Sequence, residues 1–107
     1  NTWLEKLDEN FNLSNFNELI RLDLSKNNLK HIWNYYFQNN QKLIQLNISY
    51  NKIELIEKNS FKFIQSMFLL DLSHNNLKEF SQEFFKYEIE IDQLLLDNNR
   101  INMADFT

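Results

Sequence analysis

Residues 19–29 read LIRLDLSKNNL, and nearly the same wording returns three more times: LIQLNISYNKI at 43–53, MFLLDLSHNNL at 67–77 and IDQLLLDNNRI at 91–101. Successive copies start 24 residues apart every time. In each copy the first, fourth, sixth and eleventh positions hold Leu, Ile or Met, and the ninth holds Asn: Asn27, Asn51, Asn75 and Asn99. Self-similarity at a fixed period of this length marks a chain built by stacking one structural unit on the next.

Each copy opens with a short strand. In Leu22-Asp23-Leu24 two apolar residues flank an outward one, the period-two pattern of a half-buried strand, and Leu46-Asn47-Ile48, Leu70-Asp71-Leu72 and Leu94-Leu95-Leu96 follow suit. No hairpin turn separates one strand from the next, so the strands return in parallel. One unit cannot bury its apolar side alone; stacking makes the core continuous. The recurring Asn follows the strand, where the chain turns inward. A buried turn needs partners for its backbone N–H and C=O groups. An Asn amide both donates and accepts, whereas Asp would carry charge into a dry site. The four Asn are therefore expected to form a ladder, with Ser25, Ser49 and Ser73 bonding to the same turn. The fourth copy has Asp97 in that place.

The linking halves repeat as well. Phe37, Phe61 and Phe85 lie 24 apart, with Leu13 in the equivalent place one cycle earlier, and Ile32, Ile56, Phe80 and Ala104 recur three residues after each repeat segment. The three Phe are expected to form a spine beneath the outer side. The return segments are polar and irregular, so short 3₁₀ or helical turns are expected there, for example around Glu57 to Phe63.

With these residues in view, the chain resembles the leucine-rich repeat family. The LDLS-x-N-N-L wording, the Phe in the return half and the 24-residue length resemble repeats of animal Toll-like receptor ectodomains and related extracellular proteins. The resemblance implies an α/β fold: a right-handed leucine-rich repeat solenoid, a horseshoe segment with a parallel β-sheet on its concave face and short 3₁₀ or irregular returns on its convex face. It covers residues 13–104 tightly. Residues 1–107 then form one solenoid segment, with 1–18 an irregular incoming partial repeat and repeats starting at 19, 43, 67 and 91. No capping segment is visible in the pattern, and the chain is expected to be a piece of a longer array.

The outward strand positions read as columns: Arg21, Gln45, Leu69 and Gln93 in one, and Asp23, Asn47, Asp71 and Leu95 in the next. The small residues Ser25, Ser49, Ser73 and Asp97 continue this face. Lys26, Tyr50, His74 and Asn98 are placed at the rim, with Asn28, Lys52, Asn76 and Arg100. Leu69 and Leu95, with Phe68 at the strand edge, suggest an apolar contact centre inside a polar rim. The resemblance implies that this face binds a protein or other macromolecular ligand, such as a microbial product or another repeat protein. An extracellular or membrane-receptor ectodomain is expected, with innate-immune recognition as one role. A cytoplasmic scaffold, or the recognition arm of a larger enzyme such as a receptor kinase, is the alternative. Any dimer is expected to come through the parent protein.

Composition narrows the functional classes. Hydrophobic residues make up 43% and charged residues 24%, the balance of a packed chain rather than a disordered one. The net charge of −4 leaves no basic footprint for nucleic acid, and no apolar run is long enough to insert into a membrane. Gly, Pro and Cys are absent, so turns fall to Asn, Asp and Ser, and neither a disulfide nor a thiolate metal site is available within the segment. His31 and His74 occupy different repeat positions and have no Ser–Asp or Cys arrangement around them. Asp23 and Asp71 share a column two strands apart, about 9.6 Å by strand spacing, with Asn47 between them. No catalytic residue, metal site or cofactor is expected. Two glycosylation sequons occur, at Asn12 and Asn47. With eighteen Asn and nine Ser or Thr, chance supplies about 1.5, so the sequons carry little weight. A glycan on Asn47 would nonetheless cover the middle of the concave face.

Overall fold

The structure, a computed structural model, describes residues 17–85 and 89–101. Four strands, β1 (Arg21–Asp23), β3 (Gln45–Asn47), β5 (Met67–Asp71) and β6 (Ile91–Leu95), form one parallel sheet in the order β1-β3-β5-β6. Two shorter strands, β2 (His31–Ile32) and β4 (Leu55–Ile56), pair in parallel on the return side. A single 3₁₀ turn, Gln82–Phe84, completes the described elements. The chain is thus a solenoid with little helix, and the return halves supply the helical part of the expected α/β architecture as this one turn.

The register follows the 24-residue period without slippage. Leu22 pairs with Leu46, Leu46 with Leu70 and Leu70 with Leu94, so equivalent residues stand side by side. Leu24, Ile48 and Leu72 continue the inner layer, all buried. Strands of three to five residues carry few ladder hydrogen bonds, each worth about 1 kcal/mol net. Burying an aliphatic or aromatic side chain contributes about 1.5–3 kcal/mol, so the inner layers dominate the stability.

The Phe spine lies on the return side. Phe61 is fully buried, with ring centroids 5.7 Å from Phe37 and 5.5 Å from Phe85. Both contacts are tilted, by 33° and 36°, which avoids the unfavourable face-to-face sandwich. The third return differs from the first two. Its 3₁₀ turn is capped by the Ser81 hydroxyl, which accepts from the Glu83 N–H, and no strand forms there to extend the β2–β4 pair.

The fourth repeat is the last described turn and has a neighbouring described turn on one side only. Leu94, Leu96 and Ile101 are only partly buried, although Leu70, Leu72 and Leu77 at the same positions are fully covered. Leu13, Ala104 and the sequon at Asn12 lie outside the described residues.

Candidate functional site

Three successive turns share one construction. The Asn51 side-chain nitrogen donates to Ile48 and Ser49 carbonyls of its own turn, at 3.0 and 3.2 Å, and to Leu24 O of the preceding turn at 3.1 Å. Its oxygen accepts the Leu29 N–H at 3.1 Å. Asn75 repeats this with Leu72, Ser73, Ile48 and Ile53, and Asn99 with Leu96, Asp97, Leu72 and Leu77. Asn27 donates to Leu24 and Ser25, but its buried oxygen has no partner among the described residues. The ladder is therefore a set of bonds from each Asn to backbone groups of its own and the preceding turn rather than an amide-to-amide chain.

The residue before each Asn sits in the left-handed region: Lys26, Tyr50, His74 and Asn98 have φ between 54° and 59°. For an L-residue other than Gly or Asn this costs about 1–2 kcal/mol. Leaving a buried donor or acceptor unmet costs about 1–3 kcal/mol for each group, and each complete rung bonds four backbone groups. The ladder therefore prevails over the local strain, and the solenoid dispenses with glycine at its tightest point.

A second device supports the same corner. The Oδ1 atoms of Asp23, Asn47 and Asp71 accept the N–H two residues ahead, on Ser25, Ser49 and Ser73, at 2.9–3.0 Å. The Ser49 and Ser73 hydroxyls donate to the same oxygens at 2.7 and 2.6 Å. This corrects the placement of Ser25, Ser49 and Ser73 on the exposed face. All three are buried, drawn in by the bonds that close the turn. Asp23, Asn47 and Asp71 remain half-buried on the outward side, each with one side-chain oxygen held by the corner.

The sheet aligns the predicted columns: Arg21 with Gln45, Leu69 and Gln93, and Asp23 with Asn47, Asp71 and Leu95. Arg21 and Gln93 are exposed, Gln45 and Leu69 half-buried, and Leu95 is 39% exposed. Beside them stands a column that the sequence reading identified only at Phe68. Ile20, Ile44 and Phe68 lie 24 apart and are 52%, 38% and 45% exposed. Their exposure has a local cause. The Ile44 and Gln45 N–H groups both donate to Ile20 O, at 2.8 and 3.1 Å, and the Phe68 and Leu69 N–H groups both donate to Ile44 O, at 2.7 and 3.1 Å. The register is unbroken here, so the shared acceptor marks where the paired strand begins rather than an inserted residue, and in–out alternation starts only beyond it. The 24-residue recurrence of a large apolar residue at the second position was the available signal.

Rim residues make their own contacts. Tyr50 stacks on His74 with ring centroids 4.1 Å apart and planes 9° from parallel. His74 Nε2 lies 3.3 Å from the Asn98 amide nitrogen and 4.0 Å from Asp97 Oδ2. His31, in the first return, is half-buried and stacks on Trp33 at 3.8 Å, with its Nε2 buried and 3.9 Å from Glu57 Oε2. The two histidines are in separate neighbourhoods. Among the described residues no group of three or more His, Asp or Glu is placed to hold a metal ion, and no helix is long and apolar enough to cross a membrane.

A family model for the leucine rich repeat matches residues 17–77. The chain belongs to the leucine rich repeat family. No curated protein and no solved structure matches it. Leucine-rich repeats generally serve protein–protein recognition and are typically binding scaffolds rather than catalysts. The matched span contains the first three copies of the repeat, and the fourth leucine-rich turn, 91–101, extends the same register beyond it.

Proposed function

We propose that this leucine-rich repeat segment recognises a protein partner through the outward side of its four-stranded sheet, within an extracellular receptor ectodomain or a secreted recognition protein. The observation that carries the first part is the exposed apolar column Ile20, Ile44 and Phe68, in register on three successive turns and adjoining Leu69. Scattered exposed apolar residues are ordinary on a protein surface; a contiguous apolar patch rimmed by polar groups is what interaction sites present. Arg21, Gln45 and Gln93 supply that rim, and Leu95 adds a second apolar point beyond Asp71. By contrast, a return-side cleft of about 370 Å³ mixes Leu55, Ile56 and Phe84 with Glu57, Lys58, Glu79 and Glu83, and its apolar residues do not recur in register on three turns.

The extracellular part rests on the 24-residue wording of the repeat, and innate-immune recognition is the role that wording fits.

A photo-crosslinking residue at position 69, compared with one at position 79 on the return side, tests the binding face in cells that make the protein. Adducts from 69 that disappear in an Ile44→Lys, Leu95→Glu background of intact fold are expected. Adducts only from 79 would overturn the assignment. A mass shift on glycosidase treatment tests the location, and a parent chain starting without a signal peptide and running straight into repeats would count against it.

A further inference from the structure

We infer that the partner segment taken by this face is an amphipathic α-helix lying along the solenoid axis, with a basic end over the fourth repeat and an acidic end over the first. The inference rests on the sheet face being the binding surface, and it follows from spacing and charge.

Ile20, Ile44 and Phe68 project from neighbouring turns, which stand about 4.8 Å apart in a sheet. A ligand touching all three must return an apolar side chain at about that interval. An α-helix does so once per turn, about 5.4 Å, so residues at i, i+4 and i+7 stay within about 1 Å of the three positions. An extended strand laid the same way returns a side chain to one face about every 6.7 Å and is almost 4 Å out of step by the third turn. A polyproline II segment repeats at about 9.3 Å, which reaches Ile20 and Phe68 but passes over Ile44. Only the helix gives one contact per repeat.

Charge then fixes the polarity. At the second position the fourth repeat replaces the apolar residue with Asp92, exposed, and Glu90 precedes it, also exposed. Neither joins an ion pair among the described residues. At the opposite end Arg21 stands exposed beside Ile20. Glu18 and Lys42 lie along the same margin but neutralise each other through a contact of 2.7 Å. Arg100 belongs to the far rim, at the tenth position of its repeat. The apolar column is thus closed by acids at one end and by a guanidinium at the other, and the complementary helix carries the reverse.

Two displayed libraries test this on the intact chain: one of randomised helical hairpins, one of linear peptides. Selection should enrich helices with apolar residues at i, i+4 and i+7 and Lys or Arg beyond one end. Their binding should fall at least tenfold with Ile44→Lys or Phe68→Lys, and at least threefold with Asp92→Lys, while Glu79→Lys leaves it unchanged. Circular dichroism and thermal melting of each variant confirm that the fold survives these surface changes. Binders drawn only from the linear library, but still lost with Ile44→Lys and Phe68→Lys, would overturn the helix and leave the face standing. Binders from either library indifferent to both substitutions would overturn the face itself.

Discussion

The corners of the first three repeats and the corner of the fourth have the same backbone and different chemistry. Lys26, Tyr50, His74 and Asn98 all take φ near 55–60°, and all four Asn donate into their own turn. In the first three corners an Asp or Asn oxygen also holds the N–H of a buried Ser. In the fourth, Leu95 and Asp97 replace that pair and both are exposed. The corner still closes. The comparison separates what the turn requires, the Asn, from what reinforces it, the acceptor two residues before Ser. Once the reinforcement is absent, its position becomes available for an apolar side chain on the binding face.

The largest effect should come from the layers beneath the corners. Leu72→Ala removes a fully buried side chain and is expected to cost about 3 kcal/mol, whereas Leu96→Ala, at the half-covered equivalent, should cost about 1 kcal/mol. Equal losses in urea unfolding would mean that the fourth repeat is as tightly packed as the third. Next, Asn51→Ala strands the buried Leu29 N–H, while the Leu24, Ile48 and Ser49 carbonyls keep the Asn27 amide, the Asn75 amide and the Lys26 N–H; it should cost about 1–3 kcal/mol. Asn99→Ala should cost about half as much, because that rung is partly solvated. A near-zero loss at Asn51 would remove the ladder as the basis of the corner. Third, Asp71→Leu copies the fourth corner into the third. It leaves the buried Ser73 N–H without its acceptor and should cost about 1 kcal/mol; no change would show that the reinforcement is dispensable everywhere. Smallest, Lys26→Asn should raise stability by about 0.5 kcal/mol, since Asn accepts the left-handed region more readily. A loss would show that Lys26 is held by more than its backbone.

The period made much of this legible beforehand. The strands, their register, the four Asn and the Phe spine all follow from a residue recurring every 24 positions, because equivalent residues in a solenoid must be neighbours. What escaped depends on single hydrogen bonds. Strict alternation outward from Leu22 turns Ile20 inward, whereas Ile20 and Ile44 are both exposed, where two N–H groups share the Ile20 carbonyl before alternation begins. The burial of Ser25, Ser49 and Ser73 likewise hangs on one side-chain oxygen two residues earlier. The Asx-x-Ser spacing was visible, but the same letters fit an exposed strand end. The β2–β4 pair is two residues long, too short to show strand alternation, and its mark in the sequence is the recurrence of Ile32 and Ile56.

The rungs point one way. Asn51 completes groups belonging to the turn before it, Leu24 O and Leu29 N–H, as Asn75 and Asn99 do for theirs. Each 24-residue unit therefore carries the part that finishes its predecessor, as a stitch is locked by the one that follows. A duplicated unit inserted anywhere in the row would find its own corner finished by its successor and would finish the one ahead of it. Lengthening by whole units leaves every existing joint intact, so an array of this kind can gain or lose recognition surface in steps without redesigning what holds it together.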